Sequence, residues 1–217
     1  MSKIYQIRIS LKDLNPPIWR RVLVQSDITL GQLHYLIQIV MGWTDSHLHQ
    51  FTLSTKKHKP TAEEMARQLQ RGGWDETLHD RMAGRRVFVQ KTTPWGDDSE
   101  MDGEDENAVT LAEVCPKAKS KMTYDYDFGD GWKHVIEVQK IVEPEPDAEY
   151  PVCQAGERAC PPEDCGGPWG YGDLLAAIDD PGHEQHEELL DWLGDEFDPD
   201  AFDLEAVNAI LAKWRKM

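Results

Sequence analysis

The chain has no long apolar run, few basic residues for its acids and only four cysteines among 217 residues, and each shortage excludes something. Without about 20 consecutive apolar residues, no membrane-spanning helix is expected. The first ten residues alternate polar and apolar and lack the continuous apolar core of a secretion signal, so the expected location is cytoplasmic. In that compartment, cysteines are reduced thiols or metal ligands rather than a disulfide scaffold. Lys and Arg number 23 against 40 Asp and Glu, a formal charge of −17, which opposes contact with a phosphate backbone and counts against nucleic acid as a partner. A protein partner is left open. Also missing are a G-x-S-x-G elbow, a P-loop, a dinucleotide glycine fingerprint and an H-E-x-x-H helix, and their absence is the main argument against an enzyme. No repeat of 20 to 50 residues is present.

What is present reads as an α+β protein. Tyr5, Ile7, Ile9 and Leu11 share one face of an alternating strand, Asn15-Pro16-Pro17 breaks it, and Ile18 to Val24 returns as its hairpin partner. Thr29 and Gln32 form a capping box ahead of Leu30, Leu33, Leu36, Ile37, Val40 and Met41, whose helical spacing stops at Gly42. Strands follow near residues 47–53 and 86–90, an order like that of β-grasp domains, in which a mixed sheet packs on one main helix. A helix over residues 62–70, ended by Gly72-Gly73, reads as an insertion, and residues 97–106, with seven acids in ten positions, read as a mobile loop. Thr110 starts a short helix that places Cys115 in the core. Tyr124, Tyr126 and Phe128, then Trp132, His134, Ile136 and Val138, give the strongest hairpin pattern in the chain. Prolines make residues 143–151 an extended connector, after which residues near 173–178, 184–193 and 204–214 form a helical cap, the last helix capped by Asp203. Residues 1–142 are therefore expected as the sheet core, and residues 143–217 as a Cys/Pro/Gly segment and cap packed on it in one domain.

Three constellations could carry chemistry. Cys153, Cys160 and Cys165 fall within thirteen residues of Pro- and Gly-rich chain, where tight turns could gather thiolates around zinc, although a C-x2-C pair and an evident fourth ligand are missing. Buried apolar cysteines and a redox pair are the alternatives. A two-residue turn at Gly129-Asp130 or Asp130-Gly131 would set His134 across from Asp125 or Asp127. Either pairing could orient the imidazole, as the missing zinc ligand or simply as a hairpin contact. Asp125, Asp127 and His134 are also the residues a metal-dependent phosphoester hydrolase would use. His47 and His49, two apart on a presumed strand, share a face with Phe51 and Leu53, which fits packed neutral imidazoles as well as chelation. Twelve acids with no Lys or Arg between Asp179 and Glu205 could face a basic partner or merely solvent.

Pro17-Ile18-Trp19-Arg20-Arg21, Leu30 to Trp43, His47 to Phe51, Tyr124 to Trp132 with His134, and Cys160-Pro161-Pro162-Glu163-Asp164-Cys165-Gly166-Gly167 together resemble the plasmid pRiA ORF-three-like family. The resemblance covers residues 3 to about 211. It implies no activity. Some members carry a transposon-resolvase label, but a serine resolvase needs a nucleophilic serine among arginines, and no serine here has such neighbours. The expectation is thus a non-enzymatic binding or interaction domain, zinc-stabilised through its cysteine segment. The alternatives are the phosphoester hydrolase and a DNA-associated accessory protein of mobile elements.

Overall fold

The computed structural model describes residues 2–71, 76–91, 101–194 and 197–216. Its frame is a mixed sheet, antiparallel throughout except at one edge. β1 (Ile4–Leu11) and β2 (Trp19–Gln25) form the first hairpin, with Ile4 opposite Gln25 and Ser10 opposite Trp19. α1 (Leu30–Met41) follows, then β3 (His49–Ser54), α2 (Ala62–Arg71), α3 (Glu76–Ala83), β4 (Arg85–Val89), the two-residue β5 (Glu104–Asp105) and the short α4 (Leu111–Val114). β6 (Lys121–Tyr126), β7 (Trp132–Val142) and β8 (Val152–Glu157) complete an eight-stranded sheet of order β5-β4-β3-β6-β7-β1-β2-β8. α5 (Gly167–Asp179), α6 (His186–Leu193) and α7 (Leu204–Trp214) make the helical cap. None of the described helices is long and apolar enough to cross a membrane.

The strands alternate because their sequences do. Ile7 and Ile9 on β1, Ile136 and Val138 on β7 and Phe51 on β3 are fully buried, and α1 lays Leu30, Leu33, Leu36 and Ile37 on the same core. Each such side chain contributes about 1.5–3 kcal/mol by leaving water, which is why the amphipathic period decides the element. The α1 capping box forms as expected: Thr29 accepts from Gln32 N at 3.2 Å, and Gln32 Oε1 accepts from Thr29 N at 3.1 Å. Gly42, at φ 94°, closes the helix. Arg20 is the largest charge in the core. It donates to the Val40, Trp19 and Glu157 carbonyls at 2.7–2.9 Å and stacks on Phe202, so it joins the sheet to the electronegative end of α1.

Several expectations change. Residues 152–157, read as the start of a cysteine loop, are an edge strand paired with β2. V-C-Q-A-G-E has too little alternation to announce one. α7 blunts the edge: the Asn208 amide accepts from Cys153 N and donates to Cys153 O, both at 2.9 Å, as a neighbouring strand would. α5 begins at Gly167 rather than near 173. Its glycines serve packing, since a Cβ on Gly167 or Gly170 would collide with the carbonyl oxygen of Asp130 or Cys165. The described part of the acidic stretch, from Met101, is not loose. Glu104 and Asp105 pair with β4, and Glu106 is buried because it finds a histidine. Residues 97–100, and the Gly72-Gly73 stop, lie outside the described residues.

The β6–β7 hairpin also differs in register. Tyr124 pairs with His134 and Tyr126 with Trp132 around a five-residue loop, residues 127–131. A two-residue turn would have put the aromatic face of one strand against the polar face of the other. The longer loop keeps Tyr124, Tyr126, Trp132 and His134 on one buried face.

Candidate functional site

The pairing of His49 with Tyr126, and of Tyr126 with Trp132, brings the start of β3, the end of β6 and the start of β7 to one end of the sheet. Their loops, residues 42–48 and 127–131, meet residues 158–166, which lead from β8 into α5. Hydrogen bonds lock the three together. Trp43 Nε1 donates to the Pro161 carbonyl at 3.0 Å, Asp127 N to the Leu48 carbonyl at 2.9 Å and Gly166 N to Asp130 Oδ2 at 3.1 Å. Glu163 accepts from the hydroxyls of Tyr126 and Thr44 and from Thr44 N, the last at 3.3 Å. Burial, reinforced by Glu163, raises the Tyr126 pKa, so the phenol stays a donor. Glu163 is a clasp.

At the centre of this junction, His47 Nε2 stands 3.2 Å from Asp164 Oδ1 and 3.7 Å from Asp127 Oδ2. Asp127 is buried and held: its Oδ1 accepts from Gly129 N at 2.9 Å and Asp130 N at 3.3 Å, with its own φ at 54°. Asp164, at φ 61°, projects into solvent. One imidazole and two carboxylates thus converge from three separate loops, with ligand atoms all within 4.8 Å of one another.

A second polar cluster lies inside the protein. The His34 and His49 rings stack with centroids 3.5 Å apart and planes 3° from parallel. His34 Nδ1 bonds the Tyr124 hydroxyl at 2.8 Å, and its Nε2 bonds Asp45 at 2.7 Å. His49 Nε2 bonds Glu106 at 2.9 Å, and Gln38 donates to Tyr124 at 3.0 Å. Burial, the largest influence, lowers the His34 pKa against the pull of Asp45. His34, Asp45 and His49 also bring ligand atoms within 4.8 Å, but parallel rings are poor chelators. An ion shared between them would sit about 1.7 Å out of each ring plane, away from the nitrogen lone pairs. The cluster is a hydrogen-bonded network, with its histidines, Tyr124 and Glu106 buried and Asp45 at its exposed edge.

The residues singled out from sequence disperse. His134 is fully buried, with Nδ1 3.3 Å from the Tyr124 carbonyl, and desolvation lowers its pKa to about 3. Its cross-strand neighbour is Tyr124, not a carboxylate. Asp125 lies opposite Lys133 on the other face of the sheet, so Asp125, Asp127 and His134 do not assemble. All four cysteines are free thiols. Cys153 is buried on β8, and burial raises the Cys160 pKa and pushes that of Cys165 up to about 12. Neither Cys153, Cys160, Cys165 nor His134 belongs to a described group of three or more convergent ligands. His47 and His49 part company, because the strand starts only at His49. Asp164 carries no spacing signal of its own within C-P-P-E-D-C-G-G, where the cysteines are the distinctive residues. No spacing rule links residues 47, 127 and 164.

Beside the junction, Leu174, Leu189 and Trp192 floor a groove of about 350 Å³ edged by Asp164, Asp173 and Glu188, with no basic side chain among the described residues that line it. Trp192 also borders a 270 Å³ hollow beside Trp43 and Glu163.

A family model described as plasmid pRiA4b ORF-3-like protein matches residues 3–206. An uncharacterised protein of Sinorhizobium fredii, y4hQ, is 32% identical over 221 aligned positions, covering 100% of this chain and 96% of that protein. A crystal structure of a protein of unknown function, MM3350 of Methanosarcina mazei Go1, superimposes with a TM-score of 0.72 at 31% identity, covering 95% of this chain and 97% of that one.

Proposed function

We propose, starting from a chain that belongs to the plasmid pRiA4b ORF-3-like family, that it is a binding domain whose acidic groove holds a cationic, partly apolar segment of a partner protein. The groove carries the reading. Three carboxylates edge an apolar floor that includes a half-exposed tryptophan. An arginine or lysine could lay its aliphatic stem on Leu174 and Leu189 and its charge near Asp173, Glu188 and the face of Trp192. Phe128 and Leu48, half-exposed on the adjoining loops, offer further apolar contact. The net charge of −17 favours encounter with a basic segment and opposes a polyanion.

Fluorescence anisotropy of labelled Arg/Leu peptides tests this. Binding should weaken on raising salt from about 50 to 200 mM. It should fall about tenfold in Asp173→Asn/Glu188→Gln and in Trp192→Ala. Equal affinity for charge-neutral peptides, or for the neutralised groove, would sink the reading. A salt-sensitive shift of duplex DNA would replace it with nucleic-acid association.

A further inference from the structure

We propose that His47, Asp127 and Asp164 form a binding site for one divalent ion of the zinc or manganese class. The donor set is one imidazole nitrogen and two carboxylate oxygens, which suits such ions better than softer metals that prefer thiolates. Ligand atoms about 2.1 Å from a common ion stand about 3.0 Å apart at a right angle and about 3.4 Å at the tetrahedral angle. The contacts of His47 Nε2, 3.2 Å and 3.7 Å, straddle the tetrahedral value.

A second observation concerns the nitrogen itself. His47 Nε2 is shielded from solvent and makes no hydrogen bond among the described residues, although two carboxylate oxygens face it. A ring nitrogen between carboxylates would ordinarily donate to one of them; a cation between all three satisfies them together. The orientation is built in. Asp127 spends one oxygen on Gly129 N and Asp130 N, which turns the other toward His47. Asp164 is exposed, so the ion would keep open positions for water on that side. This goes beyond the peptide-binding reading and shares with it only Asp164.

Calorimetric titration of the chelator-dialysed full chain with zinc and with manganese tests the site. We expect one equivalent bound, an affinity lowered about tenfold or more in His47→Gln and in Asp164→Asn, and no change beyond about twofold in Cys160→Ser or Asp173→Asn. Circular dichroism checks that the variants fold, and Asp164→Asn, at an exposed position, decides alone if His47→Gln does not. Three results would each overturn the proposal: no stoichiometric binding, undiminished affinity in Asp164→Asn, or binding lost with Cys160→Ser.

Discussion

His47 and His49 are two residues apart and meet opposite fates. His49 enters β3, stacks on His34 and bonds Glu106 through its Nε2, with both rings and Glu106 buried. His47 stays in the preceding loop, its Nε2 shielded and without a hydrogen bond among the described residues, facing one buried and one exposed carboxylate from distant parts of the chain. An unpaired nitrogen alone does not make a site, since His134 Nε2 is also buried without a partner among the described residues; what sets His47 apart is that its unpaired Nε2 faces two carboxylates. Hydrogen-bond partnership, more than residue type, separates the two clusters.

The largest loss at neutral pH should come from breaking the buried cluster. Glu106→Ala leaves buried His49 without its hydrogen-bond partner, at a cost of about 1.5–3 kcal/mol. Urea denaturation measures it; a loss below about 1 kcal/mol would show that the network does not support the fold. Acid comes next. His134 and His34 are held neutral in the folded chain with pKa values below the ordinary 6.5, whereas in the unfolded chain they take up protons at that value. Stability is therefore full above pH 6.5 and falls as pH drops toward 3, by about 1.4 kcal/mol per unit for His134. Stability curves for His134→Phe should lose that slope between about pH 4 and 6; an unchanged slope would mean that His134 does not titrate this way.

Tyr124→Phe sharpens the contrast further. It strips the hydroxyl from both His34 and Gln38 while keeping the ring, and should cost about 1–2 kcal/mol in the same denaturation experiment. At the other cluster, Asp164→Asn changes an exposed side chain and should move stability by no more than about 0.5 kcal/mol. A larger loss there would make the loop cluster structural too and erase the distinction.

Periodicity made much of the fold legible. α1 and α7 fall where apolar spacing, capping boxes and N-caps put them, and the central strands follow their alternation. The β6–β7 register was also within reach. Tyr124, Tyr126, Trp132 and His134 can share a face only if the positions of opposed residues add to an even number, which a two-residue turn after residue 128 or 129 forbids. β8 was not legible, because its pairing with β2 and its cover from Asn208 come from remote segments. Nor was the start of α5, where glycines demanded by close approach to Asp130 and Cys165 look like turn residues. The loop junction is the furthest from local rules. The C-P-P-E-D-C-G-G segment stands out for its cysteines, yet its acids make the contacts: Glu163 clasps Tyr126 and Thr44, and Asp164 meets His47.

The division between structural and available histidines can be read directly from imidazole nitrogen resonances. Long-range proton–nitrogen spectra of the labelled full chain, recorded before and after one equivalent of zinc, should show His47 Nε2 moving to a metal-bound shift while His34, His49 and His134 stay in place. Movement of His34 or His49 with His47 unchanged, or no movement at all, would contradict the account.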